Sequence, residues 1–409
     1  MVRSPSSLST GPSHTLVVMP VDRAAWQPPP APSGPGSGPP ASVPTSTPRI
    51  VLTMIVKNEA HVLDRCIAAI RPIVDAWCIV DTGSSDGTQD LARRLLADLP
   101  GELHDRPWQD FAHNRSQALA LARPLGEYSL MIDADVVCEI DQPTLFDERR
   151  RQLSADVYDV TIIDGAIEYY RPVLTSTALA FGYRGVLHEA LSSPPGAVAG
   201  GPLPGVRYRS RFDGARSQNP RKFLDDAELL ESVIADGRDP DLLPRHTFYL
   251  AQSYRDAGVP DKALAAYERR AAMTDAWVEE RAVAWMWVGH LRRRLGEPVD
   301  RALDAYLHAF DCAPWRAEAM YHAANAARAA DRLPTAYAFA RAGFVVPRPE
   351  RALFLEPDVY DWKIAYELCI AAYYANQPAD GAEACRRVLA CPDVPAPERA
   401  AAEGNLAFY

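Results

Sequence analysis

The chain has 409 residues and 48% hydrophobic content, enough for two domains with proper cores, and its formal net charge of −10 argues against a nucleic-acid partner held by bulk attraction. Seven cysteines without a C-x-x-C pair give no disulfide framework, so a reducing cytoplasm is the simplest setting. No apolar run reaches the roughly 20 residues of a membrane helix. Thr15 to Val21, broken by Pro20, is too short for a signal-peptide core.

Residues 1–48 are rich in Pro, Ser and Gly and cannot bury enough apolar surface to offset ordering entropy. They read as a disordered tail, or as the product of a start assigned too far upstream. The folded part then opens at residue 49. Ile50 to Val56 is a β-branched apolar run that reads as a buried strand and ends in Lys57-Asn58-Glu59. From His61 to Ile70 the residues Val62, Leu63, Cys66, Ile67 and Ile70 share one helical face. A second strand, Trp77 to Val80, runs into Asp81-Thr82-Gly83-Ser84-Ser85-Asp86-Gly87-Thr88, after which Leu91, Leu95 and Leu99 recur at helical spacing. A third, Tyr128 to Ile132, ends in Asp133-Ala134-Asp135.

Strand, helix, strand, helix, strand is the pattern of a parallel sheet with right-handed crossovers. Ligands of such sheets bind outside the carboxyl ends of the strands, so the three segments are expected to converge on one crevice. Two carboxylates one residue apart at a strand's mouth suit Mg²⁺ or Mn²⁺, which prefer oxygen ligands and bridge the phosphates of a departing nucleotide. Asp86 has two readings, a donor ligand and a helix N-cap.

From Asn219 onward strand signals vanish and Ala, Leu, Arg, Glu and Tyr dominate. Leu250-Ala251-x-x-Tyr254, Ala263 and Tyr267 align with Trp285, Val288-Gly289, Ala302, Tyr306, Ala309 and Pro314, on the tetratricopeptide template of about 34 residues with one insertion. Ala323-Ala324 with Ala336 and Ala340, and the stretch after Trp362, are fainter copies. Stacked helix pairs offer an extended concave surface for an acceptor or for a homodimer. They equally form a plain cap on the first domain. Trp277, Trp285, Trp287 and Trp315 line a groove on the first reading and fill the core on the second.

The segments Ile50 to Glu59, Asp81 to Thr88 and Asp133 to Asp135 together resemble the inverting glycosyltransferases of family 2, which have the α/β GT-A fold. Asp110-Phe111-Ala112-His113-Asn114-Arg115, Tyr183 to Glu189 and Asp213-Gly214-Ala215-Arg216-Ser217 are similar to the tetratricopeptide-containing bacterial branch of that family, to which the peptide S-glycosyltransferases are related. Phe248 to Gly258 resembles that branch's first repeat.

The resemblance implies a GT-A catalytic domain over residues 49–217 and an all-α tetratricopeptide-like domain over residues 218–409. It implies a UDP- or GDP-sugar as donor and a peptide, protein or glycan as acceptor. Asp81 takes the place of the carboxylate that contacts uracil or ribose, with Asn58, Glu59 and Asp86 beside it. Asp135 resembles the metal-binding Asp, Asp133 lies nearer the ribose, and Val136 stands where relatives often carry Glu or Met. Asn114-Arg115 is expected to open a helix, with Arg115 reaching phosphate or donor sugar unless it is a solvated helix arginine. Glu189 is the expected acceptor base and Asp164 its alternative. His188 orients the site, binds metal or contacts phosphate, unless the His188-Glu189 pair is an ordinary surface pair. Arg171, Arg216 and Lys222 either neutralise diphosphate or salt-bridge across the domain junction. The competing reading is a non-catalytic scaffold on a degenerate GT-A domain.

Overall fold

The computed structural model describes residues 49–409; the stretch read as a tail lies outside them. The first half is built on the strands β1 (Ile50–Val56), β2 (Ala76–Asp81), β3 (Gly101–Asp105), β4 (Tyr128–Met131), β5 (Val136–Ile140), β6 (Val157–Asp164), β7 (Ile167–Ser176), β8 (Gly182–Arg184), β9 (Ala190–Ser192) and β10 (Ala199–Ser210). Its helices are α1 (Leu63–Ile70), α2 (Thr88–Leu95), α3 (Phe111–Ala122) and α4 (Pro143–Arg151). An eight-stranded sheet takes the order β3-β2-β1-β4-β7-β6-β10-β5, and β8 pairs with β9 in a small sheet of their own.

β1 pairs parallel with both β2 and β4, and β2 with β3. The connection order therefore reverses between β1 and β4, which places a crevice at their carboxyl ends. The other half of the large sheet is mixed, with β7 antiparallel to β4 and β6, and β10 parallel to β6 but antiparallel to β5. β1 is apolar throughout because both of its faces are covered. Ile50, Leu52, Met54 and Val56 pack with α1 residues Leu63, Cys66, Ile67 and Ile70. On the other face Val51 meets Ala122 of α3, and Thr53 shares a 2.6 Å hydrogen bond with Ser129.

Sequence and structure differ at several element ends. α1 starts at Leu63 because Asn58 turns through a left-handed φ of 58° and residues 60–62 form a turn whose Val62 and Leu63 N–H groups donate to Glu59 O. α2 stops at Leu95, four residues before the last periodic leucine. α3 opens at Phe111, not at Asn114: Asp110 is its N-cap and accepts a 2.7 Å bond from His113 N–H.

The second half is helical: α5 (Lys222–Ala235), α6 (Leu243–Asp256), α7 (Pro260–Ala271), α8 (Val278–Arg294), α9 (Val299–Cys312), α10 (Glu318–Ala329), α11 (Leu333–Phe344), α12 (Ile364–Tyr374), α13 (Pro378–Ala390) and α14 (Ala396–Leu406). Consecutive helices pack on one another along the chain. Gly258 and Gly296 take left-handed φ values of 73° and 75°, and the N–H of the residue after each closes back onto Tyr254 O and Arg292 O as helix C-caps. At Gly289 a Cβ would stand 2.5 Å from the Tyr306 ring, so the repeat's small residue is what lets α8 and α9 close.

Candidate active site

The turn Asp133-Ala134-Asp135 joins β4 to β5, held by the Val136 N–H donating 3.1 Å to Asp133 O. Together with Lys57-Asn58-Glu59 after β1, Thr82 after β2 and the Gly214-Ala215-Arg216 segment, it lines a chamber of about 540 Å³. That is the size range of small-molecule sites. The Gly214 segment is fixed by Arg65, whose guanidinium grips Asp213 at 2.7 and 2.6 Å, and by the Ala215 N–H donating to the Glu59 carboxylate at 3.2 Å. A Cβ at Gly214 would lie 3.1 Å from Asp135 Oδ2, which explains a glycine at that point of the motif.

A second chamber of about 480 Å³ adjoins the first and shares Phe111, Arg115, Asp133 and Arg216 with it. Its lining takes Arg245, Tyr249, Trp277 and Phe354 from the helical half and His188 and Glu189 from the first half.

Arg115 stands where the chambers meet. Its Nη2 donates to Asp133 Oδ1 at 2.5 Å, and its Nε lies 2.6 Å from Glu189 Oε1 as an ion pair off the hydrogen-bond line. Its guanidinium carbon sits 5.9 Å from the centre of the Tyr183 ring. The side chain is 7% exposed, so it is not a solvated helix arginine. Burial works against its charge, but Asp133 and Glu189 outweigh burial and raise its pKa. Reciprocally, burial opposes the Asp133 charge, while Arg115 and then Arg171, whose Nη2 lies 3.6 Å from Asp133 Oδ2, hold that carboxyl below its usual range.

Asp135 behaves in the opposite way. Burial and the neighbouring Asp133 raise its pKa. Burial chiefly pushes Glu59 up to about 7, partly offset by the Ala215 N–H, with Asp135 and Asp133 adding to the rise. The cations facing them, Lys222 for Asp135 and His61 for Glu59, do not offset burial, and a divalent cation would add counter-charge. Among the described residues no three His, Cys, Asp or Glu side chains lie close enough to enclose one metal ion. A cation of the Mg²⁺ type is nonetheless held by one or two carboxylates together with substrate phosphates, and Asp135 beside Asp133 fits that demand.

The remaining expected residues fall as follows. Asp81 is fully buried at the end of β2; its Oδ1 accepts from Gly83 N–H, Ser84 N–H and Gln89 Nε2 at 2.9, 2.8 and 3.1 Å. Its Oδ2 is buried with no hydrogen-bond partner among the described residues, and Asp81 stands behind the first chamber, whose lining includes its neighbour Thr82. Asn58 Oδ1 accepts from Ser85 N–H at 2.8 Å and ties the β1 loop to that same segment. Asp86 is occupied locally. Its Oδ1 accepts from Thr88 N–H at 3.0 Å and Oγ1 at 2.6 Å, and its Oδ2 from Ala60 N–H at 3.0 Å. Those bonds stabilise the α2 entrance, although Gly87 occupies the cap position itself.

Arg171 lines the second chamber and Lys222 the first, where burial and then Arg216 lower the Lys222 pKa. Arg216 lines both chambers, pairs with Asp226 and lies 5.1 Å over the Phe111 ring. His188 is stacked on Tyr249 at 4.0 Å. Its ring is open to the second chamber yet crowded by protein, and that desolvation, with Arg245, Arg216 and Lys222, pushes its pKa down to about 3. The structure therefore holds a neutral imidazole beside Glu189 and does not gather it with Asp133 and Asp135 into one metal set. Asp164 stands apart, at the β6–β7 turn, where burial and Asp256 raise its pKa. It is absent from the described walls of either chamber.

Sequence reasoning passed over Trp108 and gave Tyr183 no role beyond opening the Tyr183 to Glu189 motif. Trp108 is 42% exposed, lines the first chamber and meets Phe111 edge-on at 4.8 Å. A large aromatic in the polar Pro107-Trp108-Gln109-Asp110 connection, with no periodic partner, was the available signal.

Residues 52–185 match the model of glycosyl transferase family 2. The matched stretch supports a family 2 glycosyl transferase domain, followed here by a helical half. A TPR repeat-containing protein of Synechococcus elongatus is 40% identical over 87 residues, and the match spans 21% of this chain and 20% of that protein. The crystal structure of MamA superposes at a TM-score of 0.31 with 16% identity, covering 48% of this chain and 92% of that one. The C-terminal part of a TPR repeat-containing protein from Cytophaga hutchinsonii gives 0.35 with 17% identity, covering 46% of this chain and 68% of that one. Among the described residues no helix is long and apolar enough to cross a membrane.

Two predictions arise from these geometries. Glu59 has a raised pKa in the folded state, so the folded chain holds that proton more tightly than the unfolded one. The stability this gives is whole below about 4.5 and is lost as pH rises through about 7. In EDTA, Glu59→Gln is expected to flatten the fall in Tm between pH 6 and 8, a loss on the order of 1 kcal/mol after allowing for solvent screening. Calorimetric melts with equal slopes for variant and parent would show that Glu59 stays ionised throughout. Asp81→Ala is expected to weaken nucleoside diphosphate binding by about 1–3 kcal/mol, since it deletes a buried acceptor and loosens the loop it braces. Equal affinities in titration calorimetry would remove Asp81 from the site.

Proposed function

We propose that the protein is an inverting, metal-dependent glycosyltransferase, with a catalytic domain over residues 49–217 and an acceptor-selecting helical domain over residues 218–409. The observation that carries this reading is one crevice at the β1/β4 reversal into which Asp133, Asp135, Glu59 and Arg115 all project, inside a family 2 domain. A nucleotide sugar, UDP- or GDP-linked, occupies the first chamber. Asp81 and Asn58 hold its nucleoside end, and Trp108 offers a ring face for the base. Arg216 and Lys222, on the opposite wall, answer the charge of the diphosphate. When bound, Mg²⁺ or Mn²⁺ on Asp135 supplies the charge that steadies the departing diphosphate.

The acceptor enters the second chamber. Its nucleophilic oxygen or sulfur attacks C1 of the donor sugar on the face away from the diphosphate. The C1–O bond breaks with its electron pair going to the diphosphate, and the acceptor's proton passes to a Glu189 oxygen. Arg115, between Asp133 and Glu189, orients both carboxylates across the chamber boundary. His188 stays neutral and adds no positive charge beside the base.

The scaffold reading draws on the relative named for its TPR repeats. A degenerate domain has no use for two undercharged carboxyls in an open chamber, and that observation favours the enzyme. Titration calorimetry with UDP and GDP, with and without MnCl₂, tests the donor site. One nucleotide is expected to bind once per chain, more tightly with Mn²⁺; binding of neither, in both conditions, would overturn the reading.

A further inference from the structure

Phe354 belongs to the helical half, in the loop between α11 and α12, yet it lines the second chamber edge-on to Tyr169 of β7, with ring centres 5.3 Å apart. Its backbone is left-handed, with φ +50°. A bulky side chain rarely adopts that conformation, and residues held in it cluster where surrounding structure fixes a functional group.

The surroundings here are specific. The Glu279 carboxylate accepts the Leu353 N–H at 2.5 Å, and Arg316 donates to Leu353 O at 2.8 Å and to Phe354 O at 3.4 Å. Arg316 is 2% exposed and is paired at 2.8 Å with Glu318, which is fully buried. On the other side Leu355 exchanges both backbone bonds with Glu168, donating at 2.8 Å and accepting at 2.9 Å, an isolated antiparallel bridge onto the start of β7. A buried ion network adds little net stability but fixes geometry. Here it locks one strained residue against the catalytic sheet.

We infer that Phe354 is a specificity-determining residue: it forms the wall on which the ring of an acceptor sugar packs, in the chamber that also holds Glu189. This rests on the reading of the second chamber as the acceptor's. Phe354, Tyr169, Tyr183 and the half-exposed Trp277 place aromatic faces around a chamber that also holds Arg171 and Glu189. That combination matches a pyranose, with an apolar C–H face for the rings and hydroxyls for the charged groups. Arg316 is a positioning residue behind it.

The test uses the full chain and a panel of p-nitrophenyl hexosides as acceptor probes. Phe354→Gly accepts the left-handed backbone without strain. Because the ring also stacks on the buried Phe248 at 6.3 Å, the variant's Tm is measured alongside, and Phe354→Leu, which keeps an apolar side chain there, serves as the folded control. The affinity of Phe354→Gly for the preferred hexoside, by titration calorimetry, is expected to fall about tenfold, with Phe354→Tyr restoring it. Nucleoside diphosphate affinity is expected to stay within about twofold of the parent, because Phe354 is not among the residues that line the first chamber. Unchanged hexoside affinity in Phe354→Gly overturns the inference, as does a chain that binds peptides and no hexoside. If the parent releases no nucleoside diphosphate yet hexoside binding still depends on Phe354, the donor reading fails and the sugar wall stands.

Discussion

Asp135→Asn is expected to cut nucleoside diphosphate release by about 10²–10³-fold while leaving the fold intact. The carboxylate sits at the turn between β4 and β5, desolvated and beside Asp133, with its pKa raised rather than lowered. Its charge is therefore an expense in the free chain and becomes useful when a divalent cation and diphosphate arrive. Asn keeps the shape and removes the charge, so Tm in EDTA is expected to hold or rise. A metal titration of release rates checks the effect. Unchanged release with undiminished Mn²⁺ dependence would rule out this carboxylate as the cation's ligand.

Glu189→Gln is expected to lose about 10²–10⁴-fold in transfer while donor binding persists. The amide preserves a hydrogen-bond acceptor near Arg115, whose other partner, Asp133 at 2.5 Å, still holds the guanidinium in place. The loss is then one of proton uptake, not of architecture. Asp164→Asn is the control, and transfer within about twofold of the parent is expected because Asp164 faces Arg255 and Asp256 at the β6–β7 turn. If the two variants exchange phenotypes, the base is Asp164.

The parallel half of the sheet was legible because β1, β2 and β4 are buried on both faces and read as apolar runs, broken only by the mutually bonded Thr53 and Ser129 before the carboxyl ends. The convergence of Lys57-Asn58-Glu59 with Asp133-Ala134-Asp135 followed from that topology alone. The mixed half was not legible. β7 carries Arg171 and Pro172 in mid-strand, and β10 is broken by Gly and Pro with shifted register, so neither shows clean alternation. Arg115 was visible as a candidate, but its link between Asp133 and Glu189 depends on α3 crossing beneath β1 and β2, which no local pattern encodes. The Asp86 signal was ambiguous because one carboxylate at a loop–helix junction satisfies local N–H groups as readily as a ligand. Phe354 was beyond reach: its importance lies in a left-handed backbone and in partners on α8, on the connection between α9 and α10, and on β7 that are distant in sequence.

The central claim is that the first chamber releases nucleoside diphosphate from a nucleotide sugar through its carboxylates and a divalent cation. The most direct measurement is diphosphate release from a set of UDP- and GDP-hexoses, with MnCl₂ or with EDTA, for the parent and Asp135→Asn. The account predicts release from at least one donor, dependent on Mn²⁺ and lost in the variant. Release from no donor, or release that ignores both EDTA and the Asp135 substitution, would contradict it.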